Sequence, residues 1–173
     1  LPKRALLCFE IPIHRIARPP VIDGDISKWD AKHLAPPLVQ LDDDEPIADV
    51  YWAWNGAGFY AAFDVPERTG PLRCNADHWW KHDGVRLCLD TRDARDNKRA
   101  TRYCHFFYAL PAGGGTRREK PIVGHHRMSR AKEPLGNIDI ALIQIASKTT
   151  RRGYSLELGI PAELLTQHVA VDI

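Results

Sequence analysis

Polar and apolar residues alternate along most of this chain, and the period is two, not 3.6. Successive side chains on a strand point to opposite faces, so alternation marks half-buried β-strands. Ile47 to Trp54 puts Val50, Trp52 and Trp54 on one face. Asn55-Gly56-Ala57-Gly58 supplies residues that tolerate a hairpin connection, and Phe59 to Val65 is the returning strand, with Phe59, Ala61, Phe63 and Val65 together. Val85, Leu87 and Leu89 alternate with Arg86, Cys88 and Asp90. Arg102 to Leu110 is a strand rich in aromatics, and Gly113-Gly114-Gly115 is a hairpin loop without the Lys-Ser/Thr ending of a phosphate cradle. Ile138 to Ala146 forms another strand, with Ile138, Ile140 and Leu142 on one face. In Tyr154 to Ile160 the pattern places Tyr154, Leu156, Leu158 and Ile160 inward and Ser155 and Glu157 outward.

Shorter signals fill the gaps. Pro19 and Pro20 keep the segment from Arg15 extended. Asp23-Gly24 is a turn, Asp25 or Ser27 caps one helical turn, and Trp29 anchors this segment on the core. Leu38 to Leu41 is a short strand, Pro161 opens a short helix through Leu165, and Val169 to Ile173 begins a further strand. The expectation is an all-β, antiparallel, jelly-roll-like β-sandwich spanning residues 1–173 as a single domain, with one or two short helical turns.

Composition narrows the function. With 173 residues the chain has room for one full core. The net charge of +2 is spread along it, unlike the concentrated basic face of a nucleic-acid binder, so no nucleic-acid partner is expected. No apolar run reaches the ~20 residues of a membrane helix. Cysteines 8, 74, 88 and 104 allow two disulfides or four thiols; the simplest reading is small buried hydrophobes. The charged stretch from Arg92 to Arg102 reads as a solvated loop. Asp42-Asp43-Asp44-Glu45 reads the same way, with a hard-cation site as the alternative.

Three constellations bear on chemistry. Cys74, His78 and His82 are zinc-binding residue types, but they lie off any helical pattern and lack a fourth ligand at a usual spacing. His125, His126 and Met128 are haem-ligand types without a Cys-x-x-Cys-His attachment. Asp83 and Asp90 are the nearest thing to paired carboxylates, and nothing distinguishes acid from base. No serine-hydrolase elbow is present. The expectation is a protein that is not an enzyme, with no metal needed for chemistry.

The adjacent Trp79 and Trp80, ahead of a strand, form either a plug for the sandwich end or a flat wall for a ligand. The order VIDGDISKWD, VYWAWNGAGFYAAFDV, WWKHDGVRLCLD, GYSLELGIPAELL resembles the family 9 carbohydrate-binding modules and their wider family-9-like (DOMON-like) relatives, from about Val21 to Leu165. Bacterial family-9-like domains also resemble the stretch from Leu89 to Gly115. The resemblance implies a β-sandwich that binds a carbohydrate and acts as a monomer, alone or beside other domains of a larger chain. Any bound calcium would be structural, and no other cofactor is implied. The resemblance favours an extracellular or periplasmic setting and leaves a cytoplasmic one open. It places Trp80 as one wall of a sugar slot, with Trp79 beside it and Asp83 following. Arg86 falls where the family carries an acidic ligand contact, and Arg donates hydrogen bonds where Glu accepts them. His105 falls near another contact position. The family's second aromatic wall comes from strands later than Ile173, so the expectation is a sandwich cut short on that side or a slot open there. Two alternatives stand beside this reading. One is a haem-carrying relative using His125, His126 and Met128. The other is an interaction or structural domain without a small ligand.

Overall fold

The structure is a computed structural model that describes residues 11–39, 46–68, 70–91, 100–128, 131–133 and 137–165. Cys8, the acidic run at 42–45, most of the charged loop (92–99) and the strand expected from Val169 to Ile173 lie outside the described residues.

Among the described residues nine strands form two sheets. They are β1 (His14–Arg15), β2 (Leu38–Val39), β3 (Pro46–Asn55), β4 (Gly58–Val65), β5 (Val85–Asp90), β6 (Cys104–Gly114), β7 (Lys120–His125), β8 (Gln144–Thr149) and β9 (Tyr154–Pro161). The larger sheet runs β1-β3-β4-β9-β8, with β2 also paired to β3; the smaller runs β5-β6-β7. All pairings are antiparallel except β1 with β3. Strands hold 44% of the described residues and helical turns 14%, and the one α-helical turn is α1 (Ala162–Leu165), so this is an all-β sandwich. Among the described residues no helix is long and apolar enough to cross a membrane.

The core lies between the sheets. Phe59, Ala61 and Phe63 of β4 and Leu156, Leu158 and Ile160 of β9 meet Leu87 of β5 and Phe107 and Ala109 of β6. Phe107 is wholly buried, and truncating a phenylalanine so placed costs about 3–5 kcal/mol.

The larger sheet is covered on its second face too. Residues 22–34 pass over it as two 3-10 turns, Ile26–Lys28 capped by Asp25 and Ala31–His33 capped by Asp30. Tyr60, Ala62 and Glu157, on the face away from the sandwich core, are therefore buried. The alternation of β9 correctly turns Glu157 from the core, but the outward side is not solvent. Glu157 is 0% exposed. Its Oε2 accepts hydrogen bonds from Asp23 N (2.9 Å), Gly24 N (2.6 Å) and Lys28 Nζ (3.0 Å), and its Oε1 accepts one from Trp29 Nε1 (2.8 Å). Gly24 sits at φ +81°, where a β-carbon would lie 2.9 Å from the Ser147 backbone, so both its conformation and its space require glycine. Trp29 anchors this segment through the buried carboxylate and its ring contact with Tyr51.

Three elements differ from the sequence pattern, the first being β6, which runs past Leu110 to Gly114 and takes in two of the three glycines expected in a hairpin loop. The strand expected from Ile138 starts only at Gln144; before it Asp139 caps a 3-10 turn, Ile140–Leu142, whose Ile140 and Leu142 are exposed. Strand β7 emerges where the pattern gave only a loop. Its Gly124 pairs with Tyr108, and a β-carbon there would lie 2.2 Å from Tyr108 Cζ, so the tyrosine ring crosses the glycine.

Candidate functional site

The outer face of the three-stranded sheet carries an aromatic platform. Leu87 pairs with Phe107 and Arg86 with Tyr108, so Phe107 takes the core side while Phe106 and Tyr108 project outward with Arg86 and Cys88. The 3-10 segment Ala76–Lys81, capped by the Asn75 side chain, lays two tryptophans over this face. Trp79 stacks on Tyr108 at 4.7 Å between centroids and 6° between planes. It also meets Phe106 and His126 edge-on or tilted. The Arg86 guanidinium stands 5.3 Å from the Trp79 ring centroid, and its Nη2 donates to the Trp80 carbonyl at 2.8 Å. Trp80 packs against Trp79 and His78 and remains 48% exposed.

The two tryptophans therefore differ. Trp79 is half-buried, gripped by a ring beneath and a cation beside it, and it fixes the platform. Trp80 presents its indole to solvent from a backbone tethered by Arg86. A stacked, cation-flanked aromatic is worth about 0.5–1.5 kcal/mol beyond its buried area, which favours this arrangement of the surface.

The remaining expected site residues lie elsewhere. His105 is on the opposite face of β6, wholly buried, its ring 5.8 Å from Phe107 and 5.9 Å from His125. It shares no surface with Trp80, because one residue of parity separates Phe106 from His105 and sends them to opposite sides of the sheet. Neither imidazole nitrogen of His105 has a hydrogen-bond partner. Burial, with His125 adding to it, pushes its pKa down to about 4. Asp83 lies in the loop before β5, where its carboxylate accepts from Arg73 N at 2.8 Å. It borders a shallow polar groove with Arg73, Lys81, His82 and Tyr154, at the sandwich rim beside the platform segment.

The other constellations come apart. His125 packs inward on Phe107, whereas His126 packs outward on Phe106 and Trp79, so the two cannot approach one iron from one side. Asp83 and Asp90 bracket opposite ends of β5. Among the described residues no three His, Cys, Asp or Glu side chains converge as metal ligands. Cys74, Cys88 and Cys104 form no disulfide with one another.

The aromatic partners Phe106 and Tyr108 are not singled out in the sequence, and His126 is singled out there only as a haem-ligand type. The alternation in Cys104 to Leu110 is hidden because both faces are apolar or aromatic; pairing Leu87 with Phe107 resolves it. Comparison with family models, curated proteins and solved structures finds no match for this chain.

Proposed function

We propose that this domain is a non-catalytic carbohydrate-binding module whose contact surface is the platform around Trp80. The observation that carries the reading is the half-exposed Trp80 indole on a platform held by the Trp79–Tyr108 stack and the Arg86 tether. Sugar rings present C–H faces that pack on aromatic rings, and their hydroxyls need polar groups at the edge. Arg86, His78 and His126 stand at that edge.

One aromatic wall sets the strength. Covering on the order of 100 Å² of apolar surface contributes ~2.5 kcal/mol at about 25 cal/mol per Å². Hydroxyl desolvation opposes it, and hydrogen bonds to the charged edge group, at about 1.5–3 kcal/mol each, add to it, so binding is expected no tighter than roughly 10 μM to 1 mM. The test is titration calorimetry with soluble oligosaccharides, comparing wild type with Trp80→Ala. The variant should keep its thermal stability and lose the binding heat. A wild type silent to every oligosaccharide at millimolar concentration, in calorimetry and tryptophan fluorescence, would sink the proposal.

A further inference from the structure

We infer that the sugar recognised at this platform carries a carboxylate: the ligand is a uronic-acid glycan, not a neutral one. This rests on the carbohydrate reading of the same surface and specifies its substrate class.

The argument is a count of donors and acceptors. A neutral sugar is bound through hydroxyls that both donate and accept, so neutral-sugar sites supply acceptors as well as donors. Among the described residues the platform is poor in acceptors beyond one ring nitrogen each on His78 and His126. The Trp80 carbonyl is taken by Arg86 Nη2. The nearest carboxylate in the loop, Asp83, is turned to Arg73 N. Asp90, on the same strand as Arg86, is four residues away, about 13 Å along the strand. Asp77 is the one other carboxylate within the segment that carries the tryptophans.

The donors, by contrast, are plentiful and held in place. A guanidinium has five N–H groups in a planar fork. Arg86 uses one on the Trp80 carbonyl and is braced by the Trp79 ring. Among the described residues no carboxylate pairs with it. A fork fixed at one end and open at the other matches a carboxylate two-pronged. Lys81 and Arg73 line the adjoining groove, so cationic character continues from the platform onto the rim. An apolar ring face on Trp80 with a carboxylate on Arg86 describes a uronate residue.

The experiment is calorimetry of the whole chain with trigalacturonic acid, its methyl ester and cellotriose, at about 20 and 200 mM salt. Trigalacturonate should bind at least 10-fold more tightly than its ester, with the margin shrinking at the higher salt. Arg86→Gln should abolish the margin of the acid over the ester, each measured in the same variant, even where loss of the Trp80 tether weakens both. Arg86→Lys, which keeps the charge and loses the fork, should fall between. Equal binding of acid and ester, or a margin that survives in Arg86→Gln, overturns the inference. Trp80-dependent binding of cellotriose as tight as trigalacturonate does the same while leaving the carbohydrate reading intact. Silence toward all three sugars removes both. A sulfated galactan oligosaccharide that binds through Arg86 more tightly than trigalacturonate overturns the choice of carboxylate.

Discussion

Replacing Glu157 by glutamine keeps the shape of the side chain and removes one acceptor. The carboxylate receives four hydrogen bonds, three on Oε2 and one on Oε1. A glutamine turned to keep its oxygen toward Asp23, Gly24 and Lys28 points its NH₂ group at the Trp29 indole N–H, donor against donor. That bond is lost, at about 1.5–3 kcal/mol for a hydrogen bond to a charged group. The two backbone bonds drop from charge-assisted to neutral, roughly halving each, and the Lys28 ammonium keeps a hydrogen bond but loses its ion-pair partner. Against this, a neutral amide is cheaper to bury than a carboxylate, whose desolvation costs several kcal/mol. With four donors in place that cost is already largely offset in the wild type, so the losses win. The net expectation for Glu157→Gln is ~3 kcal/mol of destabilisation, a fall in Tm of roughly 6–12 °C for a domain this size. Urea titration followed by tryptophan fluorescence gives the free energy directly. Trp29→Phe removes the opposing N–H, so the double variant should be at least about 1 kcal/mol more stable than the sum of the single losses. A Glu157→Gln change within 0.5 kcal/mol of wild type, or strict additivity with Trp29→Phe, would refute the account.

Three further outcomes are expected. The unfolded chain protonates histidine near 6.5, whereas folded His105 does so only near pH 4; stability is therefore full above pH 6.5 and falls as pH drops toward 4, by on the order of 3 kcal/mol, with His125 shifted in the same direction. His105→Leu should flatten that acid limb of a Tm-versus-pH curve, and an unchanged limb would count against the buried imidazole as its source. Trp79→Ala, like Trp80→Ala, should abolish sugar binding, but unlike it should also lower stability by ~2–4 kcal/mol, because Trp79 is gripped by Tyr108 and Arg86; equal thermal shifts for the two would contradict this division. Gly124→Ala should displace the Tyr108 ring and with it Trp79, seen as loss of the near-ultraviolet tryptophan circular dichroism; a spectrum like wild type would rule out the crossed ring.

The parts of the fold legible in the sequence were those where one face is apolar and the other polar. The hairpin of β3 and β4, and strands β5 and β9, follow the alternation to within two residues. Strand β7 escaped because Lys120–His125 is short and its glycine, opposite Tyr108, reads as a loop residue until the cross-strand partner is known. The late start of β8 escaped because Ile138, Ile140 and Leu142 mimic a strand period, while the Asp139 side chain caps a 3-10 turn. Glu157 does face outward as the alternation indicates, but that outward face is covered. Alternation reports direction and is blind to a third layer laid over the sheet. For the site, Trp80 and Arg86 meet as their closeness in sequence allows, whereas the position of His105 depended on strand parity that the aromatic run conceals.

The clasp around Glu157 also bears on how the chain is made. Its donors at Asp23, Gly24 and Trp29 lie 134, 133 and 128 residues before their acceptor. At ribosomal rates of about 5–20 residues per second, the first partners wait roughly 6–27 seconds for the last. From the completion of Val65 until β9 is made, β4, which sits between β3 and β9, has one neighbour and an open edge of unpaired backbone groups. Closure of the sandwich is thus a late event of long sequence separation, which makes for slow folding. The nascent chain is most exposed to wrong strand pairing just before β9 arrives, and synthesis that stalls in the loops ahead of β9 would leave β4 as the edge that a chaperone, or another nascent copy, meets first.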